Sequence, residues 1–289
     1  MTLKFMAKTF EGWTVTSPLE AFTFPAGEAH IKGAEGEQRF AYQIADLRGA
    51  DSHDLFLLAM WVEACKDRGE KTVIILPYLP AARADRGVPF GAAVYADFLN
   101  ALGVNQIITL DPHSEVMPRM LGATGRTELT VFPFERIIKR ELGNRGDYYD
   151  HPYVGVIAPD KGAVDRATRA AKKLHVPVFK AEKTRDFETG QLNGFTCEEL
   201  PAVGKLLLVD DICDGGGTFI GLAEATGLPK ERLDLWVTHG IFSKGIKSLC
   251  ERFDSIYTTD SYPSIATEVF PDRIKVIPVL PYLIGEINV

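Results

Sequence analysis

Short apolar runs alternate with helical patterns along most of the chain. TVIILPYL (72–79) predicts a buried strand, and GAAVYADFLNALG (91–103), with apolar residues three and four apart, predicts a helix. QIITLDPH (106–113) and LTVFP (129–133) predict two more strands, the second leading into a helix at FERIIKREL (134–142). The order repeats downstream: a strand at YVGVIAPD (153–160), a helix at AVDRATRAAKKLH (163–175), and strands at PVFKAEK (177–183) and KLLLVDDI (205–212). A helix at FIGLAEATG (219–227), a strand at RLDLWVTHGIF (232–242), and the runs SIYTTD and IKVIPVL close the series. Near the start, FTFPAGEAHIKG and QRFAYQIADL look like antiparallel strands. Apolar strands alternating with amphipathic helices predict an α/β protein whose mostly parallel sheets are covered by helices on both faces. The polar stretch GNRGDYYDHP (143–152) is the best candidate linker, so two tandem domains are expected, 1–142 and 143–289.

Composition narrows the function classes. A net charge of −7 argues against non-specific nucleic-acid binding, which wants a basic face. It leaves room for an anionic small ligand, since one local basic loop is enough. No apolar stretch approaches the length of a membrane span, and MTLKFMAKTFEGWTV has no long apolar core of a signal peptide. Cys65, Cys197, Cys213 and Cys250 are scattered without a CxxC pair, which fits free thiols in a cytoplasmic protein.

Ligands of open parallel sheets bind at the carboxyl ends of the strands. Here those ends collect acids and bases: Arg83, Asp85 and Arg86; Asp111 and His113; Asp160 and Lys161; Lys183 and Arg185; Asp210, Asp211 and Asp214; Thr238 and His239; Asp260. The densest is LLLVDDICDGGGTF (206–219). An apolar strand would deliver Asp210 and Asp211 to the sheet edge, both within reach of a ligand because the chain is expected to be turning there. Asp214, Gly215, Gly216 and Gly217 would then turn into a helix beginning near Thr218. Glycines let a phosphate approach backbone N–H groups, and a helix N-terminus favours an anion. The carboxylates suit sugar hydroxyls or Mg²⁺ instead. A phosphate cup beside hydroxyl-binding acids describes a ribose 5-phosphate site. The plain alternative is an Asp-Gly turn with a helix cap, and Cys213 reads as a small packing residue.

The string VDDICDGGGT resembles the PRPP-binding signature of type I phosphoribosyltransferases. LPYLPAARADRG (76–87), TLDPHSE (109–115), APDKGAVDRA (158–167), EKTR (182–185) and THGIFS (238–243) are similar, in order, to segments of the ribose-phosphate pyrophosphokinases (PRPP synthetases). The resemblance spans about residues 24–260. It implies two tandem phosphoribosyltransferase-like domains and transfer of the β,γ-diphosphate of ATP to the C1 hydroxyl of ribose 5-phosphate. By this resemblance Lys183 and Arg185 are catalytic, on a mobile loop that closes over the transferring group. Phe24, Glu28, Arg83, Arg86 and His113 contact ATP. Asp210, Asp211 and residues 214–218 hold the ribose phosphate, and His113, Asp160, Asp210 and Asp211 serve Mg²⁺. A homo-oligomer, dimer or hexamer, is implied as well. Other readings of the same residues stay open: His113 as a structural histidine, Arg83 and Arg86 as surface ion pairs, Lys183 and Arg185 as a solvated loop. His239 is expected to be structural, and Tyr148, Tyr149 and Tyr153 to pack between domains.

Two departures stand out. FPAGE (24–28) has Ala26 where the family has aspartate, which should weaken adenine selection. Gly215 replaces the threonine of the family's DTGGT, so the loop is expected to be roomier. Phage-type relatives act on ADP-ribose in rebuilding NAD, and a roomier loop makes ADP-ribose the alternative acceptor. A non-catalytic regulatory homologue and a simple phosphoribosyltransferase are the remaining alternatives.

Overall fold

The computed structural model describes residues 3–49, 51–123, 125–143, 151–185, 192–263 and 272–289, with residues 183–185 and 192–193 described by their backbone. The chain divides into two compact units, Met1–Phe132 with Val279–Val289, and Pro133–Pro278.

The first unit runs β1 (Leu3–Lys8), β2 (Thr14–Thr16), β3 (Glu20–Thr23), β4 (Ala29–Lys32), β5 (Tyr42–Leu47), α1 (Ser52–Asp67), β6 (Lys71–Ile75), α2 (Gly91–Leu102), β7 (Gln106–Leu110), α3 (Val116–Gly122) and β8 (Glu128–Phe132). Its sheet has the order β2-β1-β5-β6-β7-β8. Strands β5 to β8 are parallel, and β1 joins β5 antiparallel. Val73, Ile74 and Ile75 are fully buried, which is why this strand reads as an unbroken apolar run rather than an alternation. The early segments are antiparallel in two different ways. β3 and β4 form their own hairpin, whereas β5 is antiparallel only toward β1. Helix α1, the longest, follows no clean period in the sequence. Its Leu57 and Leu58 are buried side by side, and Trp61 stacks on Phe5 at 5.6 Å. Asp51 starts it by accepting from the N–H groups of His53 and Asp54.

The second unit runs α4 (Glu135–Glu141), β9 (Tyr153–Ala158), α5 (Val164–Leu174), β10 (Val178–Arg185), β11 (Leu192–Cys197), β12 (Lys205–Cys213), α6 (Gly217–Thr226), β13 (Leu233–Gly240), α7 (Lys247–Cys250), β14 (Ser255–Thr259) and β15 (Ile274–Ile277). The sheet order is β11-β10-β9-β12-β13-β14-β15, parallel except for β11. From β9 the chain adds β10 on one side, then returns to place β12 on the other. That reversal opens a crevice at the carboxyl ends of β9 and β12, where open α/β sheets bind ligands.

The units part at Phe132/Pro133, ahead of the polar stretch 143–152. Residues 144–150 of that stretch, with Tyr148 and Tyr149, lie outside the described residues. Helix α4 belongs to the second unit because Arg169 of α5 lies over the Phe134 ring at 4.9 Å and reaches Glu135 at 3.3 Å. The last residues return to the first unit through α8 (Leu280–Leu283). Tyr282 meets Phe132 edge-on, the Gln106 amide donates to the Glu286 carbonyl, and Asn288 donates to Glu128, so the tail covers β7 and the edge strand β8. Tyr153 packs inside the second unit, its hydroxyl donating to buried Asp234 at 2.7 Å.

Candidate active site

Strand β12 carries the densest chemistry. It does not turn at Asp210 as the sequence suggests but stays extended to Cys213, paired with β13 as far as Cys213↔Gly240. Its pairing with β9 ends earlier, at Leu208↔Ile157. Beyond that point the β9 side of the strand faces the crevice, and the Asp211 N–H donates to the Asp210 carboxylate at 2.9 Å. Both carboxylates still meet one cation: the Arg166 guanidinium lies 3.5 Å from Asp210 and 3.6 Å from Asp211. All three side chains are largely buried, Arg166 8%, Asp210 16% and Asp211 5% exposed. Burial, then the neighbouring carboxylate of Asp211, hold the Asp210 carboxyl well above the usual carboxylate range, and Arg166 pulls it partly back. Two largely buried acids beside one guanidinium offer carboxylate oxygens that suit a metal cation or a row of hydroxyl donors.

The glycine loop follows directly. Gly216 sits at φ 77°, a backbone that favours glycine, and begins α6. No side chain caps this helix and no acid lies in its first turn, and a Cβ added at Gly217 would meet nothing within 4 Å. The helix start is therefore open to an anion. Burial pushes the Cys213 thiol up to about 12, so it stays a neutral packing group. Gly215 does not leave the room that the sequence suggests. A Cβ there would lie 3.3 Å from Cδ and 3.4 Å from Cε of Lys244, so the stem of that lysine already fills the space.

Asp160 ends β9 and caps the turn at 161–163, its carboxylate accepting from the N–H groups of Gly162 and Ala163 at 3.0 and 3.2 Å. Lys183 and Arg185 lie on the backbone of β10, opposite Phe195 and Leu192 of β11; their side chains lie outside the described residues. The segment expected as a mobile loop is thus a β-hairpin at both its ends, and residues 186–191 lie outside the described residues. His239 is buried at the end of β13 with Nδ1 2.8 Å from the Ser261 hydroxyl, a structural placement.

In the first unit, Phe24 and Glu28 form the turn of the β3–β4 hairpin, with the Phe24 N–H donating to the Glu28 carbonyl. The Phe24 ring is 45% exposed and stacks against His30 at 5.5 Å. Arg83, Arg86 and His113 are exposed in the segments that follow β6 and β7. Arg86 lies 4.0 Å from Asp85. Asp111, beside His113, is buried at φ 40°. Among the described residues, the one group of three donors with ligand atoms within 4.8 Å is Asp51, His53 and Asp54, at the start of α1.

A family model described as a phosphoribosyl transferase domain matches residues 131–226, which takes in the crevice and the glycine loop. The ribose-phosphate pyrophosphokinase of Saccharolobus solfataricus is 30% identical over 208 residues, 68% of this chain and 67% of the relative. The chain belongs to the ribose-phosphate pyrophosphokinase family. The Sulfurisphaera tokodaii ribose-phosphate pyrophosphokinase is 28% identical over 93% of this chain and 91% of its own. The fold agrees: a phosphoribosylpyrophosphate synthetase from Mycobacterium smegmatis superposes with a TM-score of 0.77 at 23% identity, covering 94% of this chain and 89% of that one. This family member is an enzyme, a transferase of the ribose-phosphate diphosphokinase type.

Two residues beside this candidate site are not singled out in the sequence, although Arg166 falls within the quoted segment 158–167. Arg166 is buried on α5 with Ala167, Ala170, Ala171 and Leu174. A charged residue on an apolar helix face is the signal that could have found it. Lys244 has no such signal, since only the tertiary fold brings it to Gly215.

Proposed function

We propose that the protein transfers the β,γ-diphosphate of ATP to the C1 hydroxyl of ribose 5-phosphate, releasing AMP and forming PRPP. The observation that carries this reading is the Asp210–Asp211 pair at the crevice, held by Arg166 and followed by an uncapped glycine loop. Asp210 and Asp211 accept hydrogen bonds from the ribose hydroxyls, and the N–H groups at the start of α6 receive the 5-phosphate. Phe24, Glu28, Arg83, Arg86 and His113 bind ATP, the arginines gripping phosphate oxygens with their forks. Lys183 and Arg185 neutralise charge that builds on the transferring group.

The donor set suits Mg²⁺. This ion usually takes one or two carboxylates, keeps several waters and completes its shell with substrate phosphates. A preformed three-ligand cage is therefore not required, and a buried carboxylate pair offers such an ion the one or two protein ligands it takes. Asp210 and Asp211 would hold it, with Asp160 as a further ligand; bound there, it would neutralise phosphate charge, and His113 is the metal-contacting residue proposed in the first unit. ADP-ribose as acceptor is the alternative reading; the Lys244 stem, 3.3–3.6 Å from a Cβ position at Gly215, means that the open loop does not carry it alone. Among the described residues no helix is long and apolar enough to cross a membrane.

The test mixes protein, Mg-ATP and ribose 5-phosphate and measures AMP. Release no faster than in a metal-free control overturns the proposal. Lys183→Ala should lower kcat by on the order of 10²-fold with little change in stability, because it removes a cation used mainly in the transition state. Unchanged kcat together with a lost fold would mark Lys183 as structural instead.

A further inference from the structure

The segment after β13 is fastened to the glycine loop along its length. The N–H groups of Ile241 and Phe242 donate to the Cys213 carbonyl at 2.8 and 3.0 Å. The Ser243 N–H donates to the Asp214 carbonyl at 3.1 Å, and its hydroxyl donates to the Asp214 carboxylate at 2.5 Å. Phe242 adopts φ 47°, a conformation rare for a bulky side chain, and its ring is buried. A strained residue persists only where its surroundings hold it, so the clamp is a defined structure rather than a loose loop. Its next residue is Lys244. The methylenes Cγ, Cδ and Cε of that lysine pass 3.3–3.6 Å from where a Gly215 Cβ would stand.

An exposed lysine is ordinarily free to sweep through water, and its position then means little. Here the stem lies along the backbone of the anion-receiving loop, in a groove that exists because residue 215 has no side chain. The contact keeps the stem of Lys244 beside the loop that opens α6. The same loop carries Asp214, whose negative charge opposes an incoming phosphate; the Ser243 hydroxyl and the nearby lysine both offset it.

We propose that Lys244 is a specificity-determining residue of the ribose-phosphate site: seated over Gly215 by the 241–245 clamp, it supplies the cation that grips the 5-phosphate. Gly215 and Lys244 are a matched pair. Any side chain at 215 pushes the lysine stem aside; because that stem is flexible, the displacement costs binding rather than folding. This deepens the reading of the site as one for a ribose phosphate and rests on it.

The experiment measures ribose 5-phosphate binding by calorimetry, and AMP release in parallel, for wild type, Lys244→Ala, Gly215→Thr and the double variant. An ammonium-to-phosphate contact predicts about tenfold weaker binding for Lys244→Ala, with KM rising and kcat nearly unchanged. Gly215→Thr should weaken binding by a similar factor, and the double variant should be no worse than either single one, since both remove the same contact. Thermal unfolding should stay at the wild-type value in all three. Binding unchanged in Lys244→Ala overturns the proposal, even if AMP is released and the diphosphoryl transfer stands. Losses that multiply in the double variant overturn it too, because they make the two residues independent. Lysine-dependent binding without AMP release would instead uphold Lys244 and reject the transfer reaction.

Discussion

Arg166→Met should destabilise the protein by about 3–5 kcal/mol at neutral pH, the usual cost of stripping a buried charge of its partner. Arg166 is the cation seen beside both Asp210 and Asp211, and all three are largely buried. Methionine fills much of the volume and removes only the charge. The pH dependence separates this cause from lost packing. Arg166 lowers the carboxyl pKa of Asp210, which is already raised by burial and by Asp211. Without the arginine it rises further. A carboxyl whose folded value exceeds its unfolded value, about 3.9, contributes its full stability below that pH and loses it as pH rises through the folded value. The deficit of the variant relative to wild type should therefore be small near pH 4 and largest near pH 7. Urea unfolding of both proteins at the two pH values measures it. An equal deficit at both would show that Arg166 acts through packing alone.

How much of this could be read along the chain depends on where each constraint lies. The strands β6, β7, β9, β12 and β13 were legible because burial on both faces makes a continuous apolar run. Helices α2 and α5 were legible because one face is apolar at spacings of three and four. Helix α1 was not, since Leu57 and Leu58 are buried in succession and the period blurs. The end of the first unit was misplaced for a related reason. Polarity marks 143–152 as surface, but the unit to which α4 belongs is decided by Arg169 and Phe134, a contact that no local pattern encodes.

The site divides in the same way. Asp210, Asp211 and the glycines are adjacent in sequence, and their types alone suggest hydroxyl and phosphate binding. Arg166 and Lys244 reach the same place from 44 and 29 residues away, counted from Asp210 and Gly215. Glycine at 215 is the instructive case. In the sequence it reads as a missing side chain and therefore as space. In the fold the space is taken by a lysine stem, so the same residue argues for a different substrate contact.

The second large effect is expected at Asp210, where activity and stability should move in opposite directions. Asp210→Asn keeps the size of the side chain and an oxygen able to accept from the Asp211 N–H, which now bonds to the carboxylate at 2.9 Å. It removes the negative charge that burial and Asp211 oppose. Arg166 is then left with one acid instead of two. At neutral pH the folded state gains, because the wild-type Asp210 must either hold a proton or pay for a buried charge. A gain of about 1 kcal/mol would raise Tm by roughly 2–4 °C in a protein unit of this size. Below about pH 4 the gain should disappear, since wild-type Asp210 is protonated there in both states. Catalysis should fall by on the order of 10²–10³-fold, because the lost charge is the one that would meet ribose hydroxyls and the metal-bound phosphates. Functional sites commonly give up stability in this way. Thermal unfolding across pH, together with AMP release from Mg-ATP and ribose 5-phosphate, decides the matter. A variant that keeps activity within a few-fold of wild type, or that unfolds at lower temperature at neutral pH, would show that the Asp210 charge is neither strained by its surroundings nor used by the reaction.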